Sequence, residues 1–123
     1  MILGLGLDIV DTRRFRAWLE RPGMVSRYFS ADEERTVRSK GLEAASSLAV
    51  RFAAKEAFGK ALGTGLAGIR LKDIEVTQDG RGKPGLRLSG AARERLTAMG
   101  AEAAHVSLSH DGDQAAAVVL IEG

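Results

Sequence analysis

Residues Ser47 to Gly63 read Ser-Leu-Ala-Val-Arg-Phe-Ala-Ala-Lys-Glu-Ala-Phe-Gly-Lys-Ala-Leu-Gly, and the fold turns on them. The stretch has no proline, is rich in alanine and stops at a glycine, which predicts a helix. On a wheel of about 100° per residue, Val50, Ala53, Ala54, Ala57 and Ala61 fall on one side. This small-residue face lets another element pack closely. Arg51, Phe52, Lys55, Glu56 and Lys60 share the remaining arc, flanked by Leu48, Phe58 and Leu62. Few positions suit water, so the helix is expected to be largely buried while carrying four charges. A solvated charged stripe is one explanation. The other is a site: three cations around one carboxylate are too many for a closed internal pair, and buried charges must be paired or must hold something.

Asp8 favours the site. Ile2 to Val10 alternates at strand period, with Leu3, Leu5, Leu7 and Ile9 on one face and Gly4, Gly6 and Asp8 on the other. The leucine face is expected to be core. The glycine face leaves the backbone open to approach, with a carboxylate at its end. Ile9 and Val10 carry the apolar run past Asp8, which argues against a mere strand-end residue. A dinucleotide fingerprint fails because Ile9 stands where a third glycine is needed, and a P-loop fails because Ala61 follows Gly59-Lys60.

The 123 residues suffice for one domain, residues 1–123, and are too few for two. Apolar residues make up 45% and charged residues 28%, an ordinary globular composition. The net charge of +2 does not demand nucleic acid. With no cysteine there is neither a disulfide framework nor a thiolate metal site, which fits the cytoplasm. The opening Met1–Leu7 has no basic n-region, so it does not read as a signal peptide. No run approaches the roughly 20 apolar residues of a membrane span.

Around the central helix, Asp11-Thr12 can cap a helix to about Glu20. Five arginines stand between Arg13 and Arg27 against one acid, Glu20; they are either a solvated face or a docking patch for an acidic partner. Ser30-Ala-Asp-Glu33 is a capping box with Phe29 at the staple position, opening a helix to about Lys40. Ile74–Thr77 and Leu86–Leu88 read as a hairpin around Asp79–Pro84. Ser89–Met99 reads as a helix ending at Gly100, and His105–His110 with Ala115–Ile121 as a closing strand pair. This order predicts an α+β fold, an antiparallel sheet packed against helices.

Ser109, His110 and Asp111 make a poor triad, since neighbours on a strand alternate faces. For the same reason His105 and His110, five apart, are a poor zinc pair. Either histidine serves as well in a structural hydrogen bond as in a ligand contact, and with Ser107 and Ser109 the strand end could donate to phosphate. Asp8 and Glu56, from a strand and a helix, better suit Mg²⁺, which takes oxygen ligands and keeps waters for substrate phosphates. Lys60, one turn on, could reach those phosphates as a point charge. Together they suggest phosphoryl-type transfer. The rival is a non-catalytic nucleotide- or RNA-binding module, which the arginine-rich stretch permits.

Three segments carry a more specific signal: Gly6-Leu-Asp8-Ile-Val10 with Arg14-Phe15; Arg51-Phe-Ala-Ala-Lys55-Glu56-Ala-x-x-Lys60-Ala-Leu-Gly63; and His105-Val-Ser-Leu-Ser-His110. They resemble, in order and across nearly the whole chain, the signatures of the holo-[acyl-carrier-protein] synthases, the small type of 4′-phosphopantetheinyl transferase. The resemblance implies that fold and the transfer of 4′-phosphopantetheine from coenzyme A to a serine of apo-acyl carrier protein, releasing adenosine 3′,5′-bisphosphate. It implies that Asp8 and Glu56 hold Mg²⁺ and that Glu56 and Lys60 are catalytic. Arg51, Phe52, Lys55, Lys60, Gly63, Pro84, His105, Ser107 and His110 would bind coenzyme A. Arg13, Arg14 and Arg21 would dock the acidic carrier. A homotrimer with active sites between neighbours is implied, with neither nucleic acid nor membrane as partner.

Overall fold

The computed structural model describes residues Met1–Gly123. A long strand β1 (Ile2–Asp11) leads into three short helices, α1 (Arg14–Glu20), α2 (Met24–Tyr28) and α3 (Ala31–Arg38). The central helix α4 (Ala44–Leu62) follows, then a hairpin of β2 (Ile74–Gln78) and β3 (Pro84–Leu88), helix α5 (Gly90–Ala98), and strands β4 (Ala103–Asp111) and β5 (Gln114–Glu122). The order matches the sequence expectation, with α2 as an additional helix. All pairing is antiparallel, in one sheet of order β1-β5-β4 and a separate β2-β3 hairpin. The hairpin turn closes on Asp79, whose carboxylate accepts the amides of Arg81 (2.8 Å) and Lys83 (2.9 Å).

Helix α4 begins three residues earlier than expected and ends as expected at Gly63, whose φ of 81° belongs to the left-handed cap that glycine adopts without strain. Only Lys60 along it is exposed, the pattern of a helix covered nearly all round. Both halves of the core pack on it. One gathers Ala53, Ala57, Phe58 and Ala61 with Ile74, Val119 and Ile121. The other gathers Leu48, Ala49 and Phe52 with Phe15, Phe29 and Val37.

The two faces of β1 are reversed from expectation. Leu5, Leu7 and Ile9 are exposed at 64%, 64% and 59%, and the glycine face is the one that meets α4. A Cβ on Gly4 would overlap the carbonyl of Ala61, and one on Gly6 that of Ala57. The alanine face of α4 thus meets bare backbone, a contact that needs no side chain from the strand. Alternation fixed which residues share a face; it could not fix which face turns inward.

Lys55 stands in the interior, not in a ligand site. Its side chain is fully buried, and Nζ donates to Glu33 Oε1 (2.9 Å) and to the carbonyls of Leu71 (2.9 Å) and Ile74 (2.6 Å). The ammonium also lies 4.8 Å from the Phe29 ring centre. Burial pushes its pKa down, and Glu33 opposes that shift. The expected capping box is present: Ser30 Oγ accepts the Glu33 amide (3.1 Å) and Glu33 Oε1 accepts that of Ser30 (3.0 Å). The other Glu33 oxygen accepts the Val76 amide (3.1 Å). One buried ion pair therefore joins α3, α4 and β2.

Glu33→Ala would strand the Lys55 ammonium, and is expected to lower the unfolding free energy by about 3–5 kcal/mol in urea titrations. Adding Lys55→Met should recover part of that loss; equal loss in single and double variants would show that the pair does not couple these elements.

Candidate functional site

The sequence grouped the charges of α4 in one arc, and the structure divides them into two rows. Arg51 and Lys55, one turn apart, face the interior beside the hairpin and α3. Phe52, Glu56 and Lys60, also at one-turn spacing, face β1 and α1. Gly4, Gly6 and Asp8 share the side of β1 that packs on α4, so the backbone contact delivers Asp8 to the second row. Lys60 Nζ donates to Asp8 Oδ1 (2.9 Å) and to the Leu7 carbonyl (3.0 Å).

Glu56 is half-buried and its carboxylate accepts no hydrogen bond. Burial raises its pKa first and the charge of Asp8 raises it further, while Lys60 and Arg14 act in the opposite sense. Two carboxylates thus stand within electrostatic reach, Asp8 bound by Lys60 and Glu56 with no bonded cation of its own. Oxygen-only donors, one of them a carboxylate without a hydrogen-bond partner, fit a hard divalent cation such as Mg²⁺. No cluster of three or more His, Cys, Asp or Glu is present, so most ligand positions of such an ion would fall to water and substrate phosphate.

A second group lines a cavity of about 350 Å³ between the first half of α4, the hairpin turn and the end of β4. It unites Arg51, Pro84 and His110 with Lys40, Ser46, Ser47 and Gln78. Arg51 is 3% exposed, donates from one terminal nitrogen to Ser47 Oγ (2.6 Å) and its carbonyl (3.1 Å), and leaves Nε without a partner. Burial pushes its pKa down. Ser47, Ser46 and Lys40 were not singled out from the sequence. The spacing of Ser47 one turn before Arg51 was the available signal.

The other expected ligand residues lie elsewhere. His105 and Ser107 are on the outer face of β4, opposite to His110, and His105 Nε2 is 2.7 Å from Glu122 Oε1. Their odd and even positions on a strand already separate them. Gly63 is the cap of α4, twelve residues beyond Arg51 and outside the cavity. Phe52 packs with Phe15 and Trp18, at ring-centre distances of 5.2 and 5.6 Å.

The docking arginines also differ among themselves. Arg13 is bound to Asp11 at 2.6 Å and lies 3.7 Å from Asp113. Its hydrogen bonds hold the Asp11 carboxyl at about 2. Asp11 also accepts the Arg13 amide (2.9 Å) at the mouth of α1, near the expected cap. Arg14 has no carboxylate partner and lies over aromatic rings. Arg21 is exposed.

The two groups lie on opposite flanks of α4. Asp8 is on β1 and His110 on β4, the outer strands of the sheet, with β5 between them. Both point to the face that α4 covers, Asp8 and Leu108 flanking the same residue, Ala117.

Comparison with known proteins gives the family. Residues 4–119 match the 4′-phosphopantetheinyl transferase superfamily. A holo-[acyl-carrier-protein] synthase of Treponema denticola is 56% identical over 123 residues, the whole of both chains. The crystal structure of the Neisseria meningitidis holo-[acyl-carrier-protein] synthase superposes with a TM-score of 0.89 at 32% identity, covering 100% of each chain. The Helicobacter pylori enzyme, solved in complex with coenzyme A, gives 0.81 at 30% identity, covering 96% of this chain and 99% of that one. Family membership, and no absence in the structure, decides against the non-catalytic nucleotide- or RNA-binding reading. The chain belongs to the 4′-phosphopantetheinyl transferase superfamily and is an enzyme of its holo-[acyl-carrier-protein] synthase group.

Proposed function

We propose that this enzyme transfers 4′-phosphopantetheine from coenzyme A to a serine of apo-acyl carrier protein with Mg²⁺ held by Asp8 and Glu56, and releases adenosine 3′,5′-bisphosphate. The observation that carries the metal assignment is the unpartnered Glu56 carboxylate, raised by burial and by Asp8. Bound there, Mg²⁺ would supply charge neutralisation for the diphosphate. The serine oxygen attacks the β-phosphorus, the bond from that phosphorus to the bridging oxygen breaks, and the serine proton is released as the bisphosphate departs. Lys60 is the one exposed cation of α4 and holds Asp8 in the free protein. Turned to the phosphates, its ammonium counters the charge that develops on the leaving group.

Arg51 and His110 offer positive and polar groups for the nucleotide end of coenzyme A, with Pro84 as a wall. The separation of this cavity from the Asp8–Glu56 pair favours sites shared between copies, the metal side of one facing the nucleotide side of the next. The exposed Leu5, Leu7 and Ile9 give a neighbouring copy an apolar face to cover. A homotrimer closes such an arrangement with every interface alike.

Incubation of an apo-acyl carrier protein with coenzyme A and Mg²⁺ is expected to add the mass of one phosphopantetheine, with 3′,5′-bisphosphate formed in equal amount. Asp8→Ala should abolish the Mg²⁺-dependent reaction without loss of fold; full turnover in that variant would overturn the metal assignment.

Because its pKa is raised, the folded chain holds the Glu56 proton more tightly than the unfolded chain does. The stability this supplies is present at low pH and lost as pH rises from the ordinary glutamate range through the folded value. Glu56→Gln is therefore expected to melt like the parent in acid, to melt higher at neutral pH in metal-free buffer, and to show no Mg²⁺-induced rise in Tm. Leu7→Glu is expected to convert a trimer into monomers by light scattering and to remove transfer activity; an unchanged mass would overturn the assembly.

A further inference from the structure

Arg14 is the one cation near the metal side that neither a carboxylate nor water alone accounts for. Its guanidinium carbon lies 4.9 Å from the Phe15 ring centre, 4.9 Å from that of Phe52 and 5.9 Å from that of Trp18. The platform is braced from three helices. Trp18, the only tryptophan in the chain, sits one turn after Arg14 on α1, so its ring leans back under the arginine. Phe52 comes from α4, and Tyr28 of α2 lies against Trp18, the ring centres 5.6 Å apart and the planes tilted by 39°. Phe15 and Trp18 are 4.9 Å apart, and Trp18 meets Phe52 edge-on at 5.6 Å. The other arginines of this surface have no such seat: Arg13 is tied to Asp11, and Arg16, Arg21 and Arg27 are exposed without ring or carboxylate.

Phe52 is also one turn before Glu56 on the same row of α4. The cation over Phe52 is therefore at the edge of the carboxylate pair, and Glu56 senses its charge. An arginine side chain loses much rotamer freedom when it is captured by a partner. One held over aromatic faces has already lost that freedom, and its fork of N–H donors stays free.

We infer that Trp18 is a positioning residue, which with Phe52 and Phe15 seats the Arg14 guanidinium on the Glu56 side of α4 so that it receives an acidic side chain of the carrier protein in fixed register with the metal side. The inference rests on the carrier-docking reading of Arg14. It gives Phe52 a place in carrier recognition instead of in the nucleotide site.

The test is steady-state transfer by the full-length enzyme, with apo-acyl carrier protein and coenzyme A varied in turn. Trp18→Ala is expected to raise the KM for carrier ~5- to 10-fold, the scale of one lost cation–aromatic contact together with the regained side-chain freedom. The KM for coenzyme A should hold, and Trp18→Phe should restore most of the carrier KM. In an Arg14→Ala background the same Trp18→Ala change should add nothing. An equal rise in that background, or a raised KM for coenzyme A, overturns the positioning role. If Trp18→Ala does not fold, Trp18→Leu keeps the bulk without the aromatic face and carries the same expectation. A carrier KM unchanged by Arg14→Ala itself overturns the docking reading and this inference together, whereas a rise with Arg14→Ala and none with Trp18→Ala overturns the inference alone.

Discussion

The buried contact between Lys55 and Glu33 is the joint from which the rest of the molecule hangs. An ammonium has three N–H bonds, and Lys55 places them on Glu33 and on the carbonyls of Leu71 and Ile74. Glu33 in turn closes the start of α3 and receives the first strand of the hairpin through Val76. A buried pair of this kind adds little net stability over a well-packed apolar pair, yet is costly to break in half. Its gain is definition. The hairpin can approach α4 in one place only, and that approach forms the wall of the cavity that holds Arg51, Pro84 and His110.

The central helix thus does two jobs with residues one position apart. Arg51 and Lys55 look toward the hairpin and α3, Lys55 wholly enclosed and Arg51 reaching the cavity. Phe52, Glu56 and Lys60 look toward β1 and α1, one carrying an aromatic seat, one an unpartnered carboxylate and one the cation that answers Asp8. A rotation of about 100° between successive residues is enough to separate scaffold from chemistry along a single stretch of sequence.

That division sets what could be read from the residues. Helix α4, its glycine stop, the capping box at Ser30 and the hairpin turn at Asp79 are local, and local signals were legible. That Asp8 and Glu56 come within reach of each other was legible too, because each is a carboxylate with no local purpose. Lys55 was misplaced because its letter is the same whether it meets a phosphate or Glu33, and only tertiary packing tells them apart. The outward leucines of β1 were misplaced because a strand that meets its helix by bare backbone hides no side chains on that side. His105 and Ser107 were grouped with His110 first as a polar strand end and then by resemblance, although strand parity alone sets them on opposite faces. The aromatic seat of Arg14 needed the fold, since Phe52 is distant in sequence from Phe15 and Trp18.

Gly4 and Gly6 act as a spacer of zero thickness. With no side chain between strand and helix, the gap between the carboxylates of Asp8 and Glu56 is set by two backbones touching at Ala57 and Ala61, and main chains yield less than side chains do. Were a small ion held there as proposed, with bond lengths that tolerate little variation, the fit would be gauged by residues that never touch it. A single methyl added at either glycine would be felt first as a misjudged width between two oxygen donors.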